Sequence, residues 1–178
     1  MPITEPSTSD FTVAVTIGKM TEHDLLEVVE IEEHSNLSRW GWAAYYAELQ
    51  GNNRKLMLVA RVDRPLEQRK TDHIAGYIVA RLTAGELHIN NVAVRPEYRR
   101  QGIGCDLLSR VLQEGKNLAA THAFLEVRAG NSRAQALYEK CGLVAVGRRP
   151  NYYSGPAEDA VIMSVSLQKS ERVDGRKV

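Results

Sequence analysis

Arg99-Arg100-Gln101-Gly102-Ile103-Gly104 stands where a strand pattern gives way to a helix pattern. Two glycines at such a junction let backbone N–H groups come close to a ligand. A helix N-terminus adds unpaired N–H donors and the positive end of the helix dipole, which together suit a phosphate. The two arginines add charge at the same place. The dinucleotide fingerprint fits poorly, because its third glycine position is Leu107 and no acidic residue ends a strand downstream until Glu126. A lysine and hydroxyl of the P-loop kind are missing after Gly104. The expected ligand bears phosphate and is held mainly by backbone, in a mode unlike that of NAD or a nucleoside triphosphate. A tight turn with two surface arginines is the plainer reading of the same residues.

The strand leading into this turn carries a second signal. In Glu86-Leu87-His88-Ile89-Asn90-Asn91-Val92-Ala93-Val94 the apolar residues switch from odd to even positions. A strand of period two cannot switch without an extra residue, so a β-bulge is expected near Asn90-Asn91. A bulge bends a strand away from its neighbour. If His122 to Arg128 runs parallel to this strand, the two splay apart and leave a slot, with the glycine turn at the C-terminal end where open α/β sheets bind ligands. A twist device without a ligand would give the same pattern.

The rest of the chain supplies the frame. Phe11, Val13, Val15 and Ile17 alternate as a strand. Thr21 and Asp24 form a capping box ahead of a helix bearing Leu25, Leu26, Val28, Val29 and Ile31. A short helix over 42–49, a strand over 55–62, a charged loop over 64–72 and a strand over 74–82 follow, the last joined to the bulged strand through Ala84-Gly85. Ile103, Leu107, Leu108, Val111 and Leu112 recur at helical spacing. A strand over 122–128 leads to a helix over 131–141 closed by Gly142. Strands over 143–148 and 160–167 flank the turn signal Ser154-Gly155-Pro156. Antiparallel strands first and a βαβ crossover later predict a mixed sheet with helices on both faces.

Composition excludes several classes. A length of 178 residues fits one domain with a real core, and a formal net charge of +1 argues against a basic nucleic-acid-binding face. No apolar run approaches membrane-spanning length, and the start lacks the shape of a signal peptide. Cys105 and Cys141, the only cysteines, form neither a C-x-x-C pair nor a disulfide framework, so a cytoplasmic setting is expected. His23, His34, His73, His88 and His122 show no metal spacing and read as surface or satisfied core residues; no metal is expected.

Taken together, these motifs resemble a known family. Val92-Ala93-Val94-Arg95-Pro96-Glu97-Tyr98-Arg99-Arg100-Gln101-Gly102-Ile103-Gly104 is similar to the acetyl-CoA motif of the GNAT acetyltransferases. Leu125 to Asn131 and Ala136 to Gly142 extend the likeness, and Arg148 to Tyr153 with Glu158-Asp159-Ala160 narrows it to the RimI group, which acetylates the N-terminal alanine of a small-subunit ribosomal protein. The resemblance implies an α/β fold of GNAT type: a mixed, mostly antiparallel central sheet, a bulged strand splayed from its parallel neighbour, and helices on both faces. It implies a disordered extension over 1–10, an acetyltransferase domain over 11–167 and a disordered charged tail over 168–178. Acetyl-CoA is the implied donor, and a protein N-terminus is the implied substrate. The backbone of Val92, Ala93 and Val94 would pair with the pantetheine arm. Arg99, Arg100, Gln101, Gly102, Ile103, Gly104 and Cys105 would wrap the pyrophosphate, and Asn131 would bond the pantetheine. Glu126 would be the general base and Tyr138 the general acid.

Bland readings of the same residues stay open. Glu126 fits a cross-strand partner of a neighbouring arginine. Tyr138, at helical spacing with Ala134, Leu137 and Cys141, fits a core tyrosine. Tyr152 and Tyr153 fit either hairpin packing or a lip over a substrate peptide, and Trp40, Trp42, Tyr45 and Tyr46 fit the core and rim of the first helical pair. The segment 36–42 departs from the family pattern where the substrate cleft is shaped. Acetylation of a lysine or a small-molecule amine on the same scaffold is the alternative, and a silent acetyl-CoA-binding partner is a further one. At pH 7.4, deprotonating an N-terminal amine costs roughly 0.5 kcal/mol against roughly 4 kcal/mol for lysine, which favours the terminus for a carboxylate base.

Overall fold

A computed structural model describes residues 13–35, 37, 39–51, 54–63 and 73–168. Among the described residues, seven strands form one sheet in the order β1-β2-β3-β4-β5-β7-β6. They are β1 (Val15–Lys19), β2 (Lys55–Val62), β3 (Ile74–Thr83), β4 (Glu86–Val94), β5 (His122–Arg128), β6 (Val144–Ser154) and β7 (Ala157–Ser166). Every neighbouring pair is antiparallel except β4 and β5. The mixed, mostly antiparallel sheet of the expected fold class is thus present.

Helices α1 (Leu25–Glu33) and α2 (Gly41–Leu49) cover one face; α3 (Ile103–Asn117) and α4 (Ser132–Lys140) cover the other. Strand alternation builds two cores. Leu56, Leu58 and Ala60 of β2 meet Leu107, Leu108 and Val111 of α3, whereas Met57 and Val59 meet Leu25, Val28 and Ile31 of α1. Because both faces are covered, β2 and β3 read as near-continuous apolar runs rather than alternating ones. The Thr21 capping box closes as expected: the Thr21 amide and hydroxyl donate to Asp24 Oδ2 at 2.7 and 2.9 Å. A 3₁₀ turn over Glu22–Asp24 precedes the α-helix.

Two boundaries differ from the expected ones. β1 begins at Val15, with Phe11 lying outside the described residues. The last hairpin is longer than expected, because β6 runs on to Ser154. It is an edge strand, exposed along nearly its whole length, so no apolar alternation announces it. Its register shifts between Arg149 and Tyr153, around Pro150, which has no N–H to give a ladder. The segments 1–10 and 64–72 lie outside the described residues, as does 168–178 apart from Gln168.

Candidate active site

The slot forms as the phase switch predicts. On β3, Val79 pairs with Asn91 but Ala80 pairs with Ile89, so Asn90 is the extra residue of a bulge. On the other side, β4 and β5 pair only at Glu86↔His122, Leu87↔Ala123 and His88↔Phe124. Beyond that point the strands diverge. Val92, Ala93 and Val94 remain paired to β3 through Ile78, Tyr77 and Gly76, while their β5 edge carries no ladder. The gap holds a cavity of about 180 Å³ lined by His88, Asn90, Glu126, Asn131, Tyr138 and Tyr153, among others.

Glu126 and Tyr138 reach this gap from opposite faces. Leu125 and Val127 of β5 are packed in the α3–α4 core, so Glu126 between them points to the α1–α2 face. Tyr138 belongs to α4 and the opposite core. Glu126 Oε2 lies 2.7 Å from His88 Nε2, and Oε1 lies 3.2 Å from an Arg149 guanidinium nitrogen. The hydrogen bond from His88 holds its carboxyl below the usual glutamate range; burial opposes that shift, and Arg149 adds to it. The arginine beside it in sequence, Arg128, turns away to Glu158 at 3.1 Å, with its guanidinium over the Tyr153 ring. Tyr153 also donates to the Glu126 backbone carbonyl at 3.3 Å. Burial pushes the Tyr138 phenol above its ordinary range, with Tyr153 and Cys141 contributing, so at neutral pH it is a proton donor.

The phosphate turn has the geometry of a backbone cradle. Gly102 caps α3 with φ of +88°, a left-handed conformation that a side chain strains to adopt. Gly104 serves a different need: a β-carbon there would stand 3.1 Å from Leu137 Cδ2, so its bareness lets α3 approach α4. A helix leaves most of its first-turn N–H groups without intrahelical partners. The Cys105 amide already donates to Gly102 O at 2.9 Å. Arg99 Nε donates to Val94 O at 2.9 Å, and Gln101 Oε1 accepts from the Val13 amide at 3.1 Å, so both side chains brace the turn. Asn131 caps α4, its Oδ1 accepting from Ala134 N at 3.1 Å, which leaves its amide nitrogen as the donor toward the cavity it lines.

Three features were beyond the sequence. Cys105 and Cys141, unremarkable by spacing, bring their thiols together as free cysteines, and burial lifts the Cys141 thiol to about 12. Beneath the bulge, buried Glu32 accepts from the amides of Trp40 and Gly41 and, at 2.7 Å, from the Tyr45 hydroxyl. That hydroxyl also meets Tyr77 at 2.8 Å and accepts from Asn91 Nδ2 at 2.9 Å. The network joins α1, α2, β3 and the bulge. The third feature is His88, which stacks on Phe124 with ring centroids 4.6 Å apart and meets Glu126 across the apex of the slot. Among the described residues no cluster of three or more His, Cys, Asp or Glu could hold a metal ion, and no helix is long and apolar enough to cross a membrane.

Residues 25–143 match the acetyltransferase (GNAT) family. The chain is 31% identical over 156 residues to the [ribosomal protein bS18]-alanine N-acetyltransferase of Escherichia coli K12, covering 85% of this chain and 97% of that protein. The crystal structure of the ribosomal-protein-S18-alanine N-acetyltransferase from Escherichia coli superposes with a TM-score of 0.73 at 27% identity, over 90% of this chain and 98% of that one. Ard1 from Thermoplasma volcanium superposes with a TM-score of 0.76 at 26% identity, over 88% and 100%. Arabidopsis thaliana NAA60, solved in complex with acetyl-CoA, shares the fold at 16% identity and a TM-score of 0.74, over 86% and 98%.

Proposed function

The chain belongs to the GNAT acetyltransferase family, and on that premise we propose that it moves an acetyl group from acetyl-CoA to the N-terminal α-amine of a protein, the N-terminal alanine of a small-subunit ribosomal protein in particular. The observation that carries this reading is the slot, which opens between β4 and β5 with a carboxylate on one face and a protonated phenol on the other. The Escherichia coli relative, matched over 97% of its length, is named a [ribosomal protein bS18]-alanine N-acetyltransferase, which supports this substrate.

The residues present fit acetyl-CoA. The unpaired β4 edge at Val92, Ala93 and Val94 suits an amide-bearing arm, and the positive-φ Gly102 at the head of α3, with Arg99 and Arg100 beside it, suits a pyrophosphate. Gln101 to Gly104 would give backbone donors and Asn131 a side-chain donor. When bound, the cofactor supplies an activated acetyl thioester. Glu126 supplies the basic half of the site and Tyr138 the acidic half, which protonates the leaving thiolate. A backbone N–H near Val92 or Ala93 would face the developing oxyanion. Such a site suits an α-amine, whose proton is cheaply removed, better than a lysine. The cytoplasm is the expected setting, since Cys105 and Cys141 are free cysteines.

Two peptides test this. One has a free alanine N-terminus followed by a basic residue and no lysine; the other has a blocked N-terminus and lysines. Intact masses after incubation with acetyl-CoA should show a gain of one acetyl group on the first peptide only. A gain on the second alone would make the protein a lysine acetyltransferase. No gain on either, with acetyl-CoA still bound, would point to a small-molecule amine or a silent binding role.

A further inference from the structure

The basic half of the site is a pair, and its geometry divides the work unevenly. Both oxygens of Glu126 are taken, Oε2 by His88 at 2.7 Å and Oε1 by Arg149 at 3.2 Å. The carboxylate side chain is 6% exposed and the imidazole 33%, so an incoming amine meets the ring first. An ionised carboxylate only accepts, so Nε2 carries the hydrogen in that bond and Nδ1 of the neutral ring keeps its lone pair. The neighbour of Nδ1 is the Asn90 amide nitrogen at 3.5 Å, too far for a strong bond. Asn90 Oδ1 is buried without a partner. A half-turn of that carboxamide would present Oδ1 to an N–H at Nδ1, so the bulge residue can serve both charge states of the ring. Stacking on Phe124 holds the ring plane.

We propose that His88, through Nδ1, takes the proton from the substrate ammonium, and that Glu126 is the positioning residue that fixes the Nε2–H tautomer and balances the imidazolium. The inference rests on the α-amine reading above and moves the proton's landing place from the carboxylate to its neighbour. The balance is simple. The ammonium gives one proton to Nδ1, which later passes it to solvent. The amine nitrogen then bonds the acetyl carbon as the C–S bond breaks, and its second proton ends on the leaving sulfur by way of Tyr138. Handing a proton from a terminal ammonium to an ordinary carboxylate is uphill about 3,000-fold, but to an imidazole only about 20-fold. Glu126, held below the usual range by His88 and Arg149, is the poorer acceptor still.

The other charged groups around the ring are accounted for. Arg81, opposite His88 on β3, is held by Glu48 of α2 at 2.7 Å. Arg128 of β5 is held by Glu158, while Arg149 and Tyr153 of β6 lie on the Glu126 side, and Tyr138 of α4 enters the cavity from the opposite core.

The test has two parts. In the protein without ligands, ¹⁵N chemical shifts of the ring at pH 8 should show the hydrogen on Nε2 and a bare Nδ1; the Nδ1–H tautomer would overturn the proposal. In the alanine-peptide assay at saturating substrates, kcat of the wild type should fall along an acid limb as the base takes up its proton. H88Q should lose about 10- to 100-fold in kcat together with that limb, while acetyl-CoA binding by calorimetry stays within threefold. H88A should regain activity with added imidazole, which a merely structural ring would not explain. An H88Q enzyme with wild-type kcat and pH profile would return the proton to Glu126 and leave the α-amine reading intact. A wild type that binds acetyl-CoA but acetylates no α-amine would overturn both.

Discussion

Tyr45→Phe removes one oxygen atom from the middle of the molecule, and the structure says what that oxygen does. The ring is fully buried, and its hydroxyl joins Glu32, Tyr77 and Asn91 at 2.7, 2.8 and 2.9 Å. Phenylalanine fills the same volume, so no cavity opens. A hydrogen bond to a carboxylate contributes about 1.5–3 kcal/mol, and a neutral one about 1 kcal/mol. Stranding a buried donor such as Asn91 Nδ2 costs about 1–3 kcal/mol. These terms overlap, so the expected loss is about 3 kcal/mol, or about 6–12 °C in Tm for a chain of this size. Urea unfolding followed by fluorescence, with a thermal melt beside it, reads both. Tyr46→Phe, on the partly exposed side of the same helix where Tyr46 stacks on Trp42, serves as the control and should shift stability by less than about 0.5 kcal/mol. A Tyr45→Phe loss no larger than the control would refute the stabilisation assigned to this network.

Three further outcomes follow from the site. Tyr138→Phe should lower kcat by about 10²- to 10⁴-fold while acetyl-CoA binding persists; full activity across pH would remove the acid role. Gly102→Val forces a β-branched residue to a φ of +88° and should weaken acetyl-CoA binding at least tenfold by calorimetry, with normal affinity sinking the assignment of the turn. Glu126 titrates below its unfolded value, chiefly through His88, so its contribution to stability is present above about pH 5 and fades as pH falls through the folded value. Wild type should therefore lose more stability than E126Q between pH 6 and pH 3.5 in urea titrations, and parallel curves would contradict the pairing.

The frame was legible because local rules and packing agree. The period-two pattern of β5 marked its ends at His122 and Arg128, and the phase switch in β4 placed the bulge near Asn90-Asn91, where Asn90 is the extra residue. Glu126 and Tyr138 were legible only through the family resemblance, since each is also an ordinary residue of its element. The histidine beside Glu126 was read as surface or core because nothing in spacing links His88 to a residue 38 positions on; only the parallel register and the splay bring them together. Its one signal is position, two residues before a bulge and in register with Phe124. The network of Glu32, Tyr45, Tyr77 and Asn91 was hidden for the same reason, with each partner on a different element. The strand over 143–148 was expected, but its continuation to Ser154 was not, because an exposed edge segment with a proline carries no apolar period.

The three residue pairs between β4 and β5 make the sheet two sheets, one of four strands and one of three, sewn together at one end. A ligand whose arm lies along the free edge of β4 supplies rungs that the chain itself omits, and it binds only the folded form. Folding and binding are then thermodynamically linked: at a hundred times its dissociation constant such a ligand adds about 2.7 kcal/mol to the folded state. The melting temperature should therefore rise with the concentration of a ligand bound along that edge. Without such a ligand that increment is absent, and the seam rests on its own three rungs.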